Sequence, residues 1–147
     1  ACTSIGTAPF AGRLARTLRK ESKAYLFDWV EIENENLRFE NLVALHLLKA
    51  VRLWNAMGEG DPHLNYIRDK EKREVDFVLS EKGKAFCLIE CKTGEETLSP
   101  NLLYFQKKLS VPVAVQILHK TGVCKRLRTE GLTQWVISAD RWLAVLP

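Results

Sequence analysis

The sequence predicts an α/β fold in which a mixed central β-sheet is flanked by helices. Three patterns lead to this prediction: a β-hairpin at residues 73–92, an amphipathic helix at 35–54, and a continuous apolar run at 113–118 typical of a central strand covered on both faces. With a second helix after the hairpin, the predicted order is α-β-β-β-α-β. A chain of 147 residues with 46% hydrophobic and 27% charged residues is expected to form one ordinary globular domain.

Composition does not decide whether the chain binds nucleic acid, but it favours a cytoplasmic setting. No apolar run approaches the length of a membrane span and no signal peptide is recognisable, so the expected setting is cytoplasmic, without a membrane partner. The net charge of +4 is compatible with nucleic-acid binding. Charged residues cluster, and each cluster is explained equally well as a solvated face or as a phosphate-contacting surface. The basic clusters are Arg13, Arg16, Arg19, Lys20 and Lys23, then Lys120, Lys125, Arg126 and Arg128; an acidic cluster is Asp28, Glu31, Glu33 and Glu35.

The first long helix is predicted over residues 35–54, and Gly58, Gly60 and Pro62 end it. Counting in threes and fours from Glu40 gives a single apolar stripe, so this carboxylate lies on the core-facing side. A carboxylate there is costly unless it is paired or faces a site. Alternatively, Glu40 lies near enough to the helix start to reach water and the favourable N-terminal dipole. Both interpretations remain open from the residues alone.

The hairpin at residues 73–92 follows a strand at 63–68 and a charged turn at 69–72. Residues alternate faces along a strand, so one face of the second hairpin strand carries Phe86, Leu88, Glu90 and Lys92, and the other carries Cys87, Ile89 and Cys91. Antiparallel pairing across the turn at 81–84 brings Asp76 near Glu90. Two carboxylates and one ammonium group are therefore expected to converge at one end of the hairpin.

Carboxylates at short range favour a hard divalent cation such as Mg²⁺. A lysine beside them can orient or help deprotonate a water molecule and can stabilise charge on a phosphate, which outlines a phosphodiesterase site. The alternative is that Glu90 and Lys92 are ordinary solvent-facing charges of an edge strand. Asp76 favours the site, because an aspartate between Val75 and Phe77 is unfavourable in a strand unless it has a partner.

Asp76 followed by Glu90-Cys91-Lys92 resembles the D…(D/E)-x-K signature of the PD-(D/E)XK nuclease superfamily, with Val75 in place of the usual proline. Residues 37–44, 74–79 and 89–92 resemble more closely the C-terminal domain of a widespread family of prokaryotic AAA+ ATPases, a domain of unknown function with a nuclease-like core. The likeness extends from about Pro9 to the C-terminus.

The resemblance implies a restriction-endonuclease-like core at residues 31–147, preceded at 1–30 by a basic segment that connects to a missing ATPase and winged-helix region. It implies that Asp76, Glu90, Lys92 and Glu40 are catalytic, and that Asp76, Glu90, Glu40 and the Cys91 carbonyl bind Mg²⁺ or Mn²⁺. Expected partners are DNA and the ATPase module. This chain contains no P-loop motif, so no ATP site is expected in it.

Two other functional classes remain. A catalytically silent nuclease-like fold would serve as a nucleic-acid-binding or protein-docking module of the ATPase. An oligomerisation domain would present Trp29, Trp54, Trp135 and Trp142 to a second copy, although core packing explains these residues better. Clustered acids favour activity over pure binding, because they repel phosphate.

The remaining residues are assigned structural roles. The four cysteines lack zinc-site spacing, and Cys87 and Cys91 are expected in the core. The three histidines receive no metal role. Ser99 and Pro100 predict the start of a second helix that ends near Ser110, with Gln106 on its surface. Residues 134–137 are predicted as a strand, and 139–146 as a short helix or extended tail. The histidines are His46, His63 and His119.

Overall fold

The central sheet is mixed because a helical crossover joins an antiparallel half to a parallel half. The computed structural model describes residues 4–10, 23–26 and 33–147. In chain order, its elements are β1 (Ser4–Pro9), β2 (Lys23–Leu26), α1 (Glu35–Met57), β3 (Pro62–Arg68), β4 (Glu74–Glu81), β5 (Lys84–Lys92), α2 (Pro100–Leu109), β6 (Val113–Leu118), β7 (Cys124–Thr129), β8 (Leu132–Ser138) and α3 (Ala139–Leu143). Cys2, Arg13, Arg16, Arg19, Lys20, Asp28, Trp29 and Glu31, which enter the sequence predictions, lie outside the described residues.

In the described residues, the mixed sheet has eight strands in the order β2-β1-β3-β4-β5-β6-β8-β7. β3, β4 and β5 are antiparallel neighbours; β6 is parallel to both β5 and β8; and β7 is antiparallel to β8. On the β3 side, β1 pairs parallel with β3 and β2 pairs antiparallel with β1. The expected α/β class, a mixed sheet flanked by helices, is confirmed. None of the helices in the described residues is both long and apolar enough to cross a membrane.

The helix ends follow from local side chains. Asn34 caps α1 by accepting a hydrogen bond from the Leu37 N–H at 3.2 Å, and Gly58 ends it at φ +73°. Ser99 caps α2 and Pro100 occupies its first turn, as predicted. These caps place the start of α1 and the start of α2 near the carboxyl end of β5.

The β4–β5 hairpin contains a bulge that sets the position of the predicted acids. Lys82 and Gly83 both have positive φ, as a two-residue type I′ turn requires, so Glu81 pairs with Lys84. The register then shifts between Leu79 and Ser80, which adds one residue, Phe86, on β5. If the pairing at the turn continued along the two strands without the extra residue Phe86, Asp76 would lie opposite Ile89.

With the bulge, Phe77 pairs with Ile89, and one further step puts Asp76 opposite Glu90. The bulge also corrects the prediction that Phe86 shares a face with Leu88. Leu88 is fully buried beneath α2, whereas Phe86 is 37% exposed and lines a surface cavity with Trp54 of α1. A one-residue insertion therefore decides which face of the sheet each side chain occupies.

Each face of the sheet packs against one long helix. The α1 face is an apolar cluster that includes Val43 and Leu47 with Ile89, and Trp54, Trp135 and Trp142 pack against it, partly buried. The α2 face has a second cluster in which Leu102 and Phe105 pack on Val78 and Leu88. Cys87 is buried and Cys91 is partly buried, both on the α1 face, as predicted.

The structure corrects the prediction for Gln106 and adds the strands β1 and β7, which were not predicted. Gln106 is 1% exposed, not a surface residue, because its Nε2 donates to the Thr133 carbonyl at 2.9 Å and its Oε1 accepts from Gln134 Nε2 at 2.8 Å. The sequence did not predict β7, which carries three of the four residues of the second basic cluster on the exposed edge of the sheet.

Candidate active site

A cavity of about 240 Å³ opens where β4 begins, β5 ends and α1 begins. Glu40, Asp76, Glu90 and Lys92, the side chains predicted from the sequence to form a site, all contribute to its wall. The described residues that line it are Asn36, Phe39, Glu40, Asp76, Glu90, Cys91, Lys92 and Thr93. The fold therefore brings residues from three segments of the chain into one polar pocket.

Asp76 is held by the backbone of the neighbouring strand. Its Oδ2 accepts a hydrogen bond from the Cys91 N–H at 2.8 Å, and its side chain is half-buried. This hydrogen bond from a backbone N–H offsets the unfavourable propensity of aspartate for a strand. The sequence argument required a partner for Asp76, and the backbone of Cys91 is one.

Glu90 is a buried carboxylate with a cationic neighbour. Its side chain is 8% exposed, and its Oε1 lies 3.1 Å from Lys92 Nζ. The Ser99 hydroxyl, at the cap of α2, lies 3.5 Å from the same oxygen. Because Glu90 and Lys92 are two residues apart on one strand, they share a face and can form this pair without any backbone distortion.

Lys92 is a cation at neutral pH. Burial alone would lower its pKa, but the hydrogen bond to Glu90 and the charges of Glu90, Asp76 and Glu95 outweigh that effect and raise it. In this state the lysine cannot accept a proton from water. It can hold a water molecule in place or stabilise negative charge on a phosphate.

Glu40 approaches the cavity from the second turn of α1, beside Phe39. Its side chain is half-buried. Of the two interpretations left open by the sequence, the position at the cavity wall agrees with the one in which this carboxylate faces a site.

The acids do not form a preformed metal cage. Within residues 33–147 and the two described N-terminal segments, no three His, Cys, Asp or Glu residues gather closely enough to bind one metal ion together. Mg²⁺, however, commonly takes only one or two protein carboxylates and completes its shell with water and substrate phosphate. Oxygen donors from Asp76 and Glu90 on adjacent strands fit that requirement.

The sequence analysis did not assign His119 to the site region. The residue directly follows β6, its N–H donates to the Lys92 carbonyl at 2.9 Å, and its ring stacks on Phe39 with centroids 4.9 Å apart. Its Nδ1 also lies 3.4 Å from Glu35 Oε1. The available signal was topological, because a residue just after a strand parallel to β5 must lie beside the end of β5.

Gln116 was a second omission. It is fully buried in β6, and its Oε1 accepts from the Ser99 N–H at 2.8 Å. Its Nε2 donates to the carbonyls of Glu95 and Thr97, at 2.8 and 2.9 Å. One amide thus fixes the segment 93–99, which runs from Lys92 to the serine that contacts Glu90.

Comparison with known proteins identifies the family but no characterised relative. No curated protein and no solved structure matched the chain. The sequence profile of one family matches residues 37–142, which span α1 to α3 and include all the cavity residues except Asn36. The chain therefore belongs to the family described as Domain of unknown function (DUF4143).

Proposed function

We propose that this chain is a metal-dependent phosphodiesterase domain that cleaves DNA and has the restriction-endonuclease-like PD-(D/E)XK core. The supporting observation is the cavity whose wall contains three carboxylates, those of Glu40, Asp76 and Glu90, together with Lys92. In the proposal, the domain is carried by a longer protein with an AAA+ ATPase module. That larger context rests on the resemblance of residues 37–44, 74–79 and 89–92.

The acidic and basic residues of the cavity have proposed roles in binding the ion and in the reaction. Asp76 and Glu90 would hold Mg²⁺ or Mn²⁺, with the Cys91 carbonyl as an additional oxygen donor and Glu40 acting on the ion through a water molecule, because no three acids of the described residues gather closely enough to bind one ion directly. The ion, when bound, would supply positive charge that offsets the charge of the scissile phosphate and would lower the pKa of the attacking water, whose proton would pass to solvent. Lys92, which the raised pKa keeps protonated, orients that water and stabilises charge on the phosphate oxygens.

A bound cation would explain why carboxylates that are unfavourable together lie in one cavity. Two carboxylates on neighbouring strands repel one another, and Glu90 is largely desolvated. Lys92 pairs with Glu90 and compensates part of this cost. A divalent cation bound between the carboxylates would compensate more of it and would make the same pocket attractive to phosphate.

The test measures metal binding and cleavage on the same protein. Calorimetric titration with Mg²⁺ and Mn²⁺ should show saturable binding that Asp76→Asn and Glu90→Gln each remove. Supercoiled plasmid should be nicked by the wild-type chain and not by either variant. As matched controls, Asp140→Asn and Glu130→Gln make the same chemical changes at exposed positions outside the cavity and should retain both activities.

A third variant separates binding of the ion from chemistry. Lys92→Met should retain metal binding and lose nicking by about a hundredfold or more, the usual scale for removal of a catalytic electrostatic group. Absence of metal binding in the wild-type chain would overturn the metal-dependent proposal. Binding without nicking of any DNA form would favour the silent docking module, in which the acids have no catalytic role.

A further inference from the structure

Two lysines from separate segments converge on one carboxylate beside the cavity. Lys120 Nζ lies 2.6 Å from Glu96 Oε1, and Lys125 Nζ hydrogen-bonds to Glu96 Oε2. Lys120 follows the end of β6, whereas Lys125 belongs to the edge strand β7. Both lysine side chains are more than half exposed, at 51% and 57%, and the Glu96 side chain between them is 29% exposed, so solvent reaches the triad.

This triad lies at the same end of the sheet as the candidate active site. β6 runs parallel to β5, and Leu118, its last residue, pairs with Lys92. β7 begins at that end too, because Cys124 pairs with Ile137 near the end of β8. A ligand that leaves the cavity beyond Lys92 and passes His119 therefore meets Lys120 and Lys125 next.

The carboxylate is presented from a fixed position. Glu96 lies between Glu95 and Thr97, whose carbonyls both accept hydrogen bonds from Gln116. The hydrogen bonds and charges of the two lysines lower the pKa of Glu96 to about 2, so it is ionised throughout the working range. An oxyanion with two oxygens, each held by one lysine, resembles a backbone phosphodiester in charge and in its number of acceptor oxygens.

We propose that Lys120 and Lys125 form a binding site for a backbone phosphate of the nucleic-acid substrate, which Glu96 occupies until that phosphate displaces it. This inference rests on the proposed function, since it takes the substrate to be a nucleic acid. It assigns the second basic cluster a role in guiding the strand away from the cavity. It also implies that Glu96 competes with the ligand, so that its removal strengthens binding.

The test is fluorescence anisotropy with a labelled DNA duplex and the full chain, in EDTA to prevent cleavage, over a range of salt concentrations. One phosphate contact contributes a slope of about 0.9 in the logarithm of affinity against the logarithm of salt, or about eightfold in affinity at 0.1 M salt. Because the two lysines share one phosphate, Lys120→Gln and Lys125→Gln should each weaken binding by up to that factor and flatten the slope by up to about 0.9. Glu96→Gln should strengthen binding severalfold and steepen the slope.

A matched pair of residues controls for charge alone. Lys107 and Glu130 form a similar exposed ion pair, 3.1 Å apart, at the opposite end of the sheet. Lys107→Gln and Glu130→Gln should each change the affinity by less than twofold. Equal effects of the Lys107 and Lys120 substitutions would show that the affinity reports only net charge, and the site would be rejected.

The remaining outcomes separate this inference from the proposed function. If the wild-type chain binds and nicks DNA while all three triad variants behave like wild type, the phosphate site is wrong and the nuclease proposal stands. If Glu96→Gln weakens binding, Glu96 is a structural brace and the displacement is wrong. If the wild-type chain binds no DNA at any salt concentration, the phosphate site is wrong, and the nuclease proposal fails as well only if the chain also does not nick plasmid with Mg²⁺ or Mn²⁺.

Discussion

Replacing Gln116 by leucine is predicted to destabilise the fold and loosen the segment beside the site. The glutamine is fully buried and uses both atoms of its amide in hydrogen bonds to the backbone of residues 95–99. Leucine fills a similar volume but can neither donate nor accept a hydrogen bond. The substitution thus separates the effect of polar contacts from that of packing.

The expected loss of unfolding free energy depends on whether water can replace Gln116 at each backbone group that loses its hydrogen bond. The Ser99 N–H belongs to a residue that is 6% exposed, so water cannot readily replace the lost acceptor, and an unsatisfied buried donor costs about 1–3 kcal/mol. Glu95 and Thr97 are exposed residues whose carbonyls can turn to water, so each of these hydrogen bonds contributes about 0.5 kcal/mol. The total is about 2–4 kcal/mol in the free energy of unfolding.

Urea denaturation measures the prediction. With a slope of about 2 kcal/mol per M, the midpoint should fall by about 1–2 M. Amide hydrogen exchange should show loss of protection at Ser99 and at Leu102, whose N–H is capped by the Ser99 hydroxyl. A change in unfolding free energy below about 1 kcal/mol, or unchanged protection at both amides, would refute the role given to Gln116.

Gln106→Leu is the matched control for this variant. Gln106 is an equally buried glutamine in α2, and its two hydrogen bonds, to Thr133 and Gln134, lie at the end of the sheet away from the cavity. Its loss should destabilise the fold by a similar amount while leaving exchange at Ser99 unchanged. Loss of Ser99 protection in both variants would indicate a general weakening of the fold.

Three further predictions follow from buried and charged groups. Asp69→Ala should cost about 2 kcal/mol in unfolding free energy, measured with urea, because the buried carboxylate accepts from both the backbone N–H and the Nε of Arg73 at 2.9 and 2.7 Å; a cost below about 0.5 kcal/mol would contradict it. The stability that Glu96 contributes is fully present above its usual pKa of 4.5 and is lost as pH falls toward its folded value of about 2. Glu96→Gln should therefore flatten the fall of unfolding free energy with decreasing pH between those values. Parallel curves for the variant and the wild type would exclude this linkage. Burial raises the pKa of the Cys87 thiol to about 12. Labelling with iodoacetamide at pH 8, followed peptide by peptide, should therefore modify exposed Cys124 well before Cys87. Equal labelling rates would exclude this burial.

The elements that the sequence predicted best have strong local signals. Ser99-Pro100 marks the start of α2, and Lys82-Gly83 forms the hairpin turn in the middle of the segment that the sequence marked as a turn. The strand β7 has no such signal, because all six of its residues are exposed and no apolar alternation marks them. The turn between β7 and β8, at Glu130 and Gly131, also has positive φ at both residues. The sequence does not reveal a hairpin there, because β7, on one side of the turn, lacks the apolar alternation that marks a strand.

The sequence predicted which residues lie near the candidate site but not which side of the sheet each of them faces. Asp76 and Glu90 could be placed near each other from the turn, yet whether they face the same side depends on the bulge at Phe86. A bulge depends on packing around the strand and leaves no clear mark in a single sequence. Gln106 and Gln116 show the same limit, since their burial depends on backbone groups brought near by the tertiary fold.

The segment 93–98 joins the cavity to the lysine pair and explains why one buried amide affects both. Lys92 precedes the segment and pairs with Glu90, whereas Ser99 follows it and contacts the same carboxylate. Glu96, in the middle, holds Lys120 and Lys125. Because Gln116 binds the segment on both sides of Glu96 and at Ser99, its loss frees the carboxylate from its fixed position. Gln116→Leu should therefore alter DNA affinity through Glu96 in addition to stability, whereas Gln106→Leu should alter stability alone.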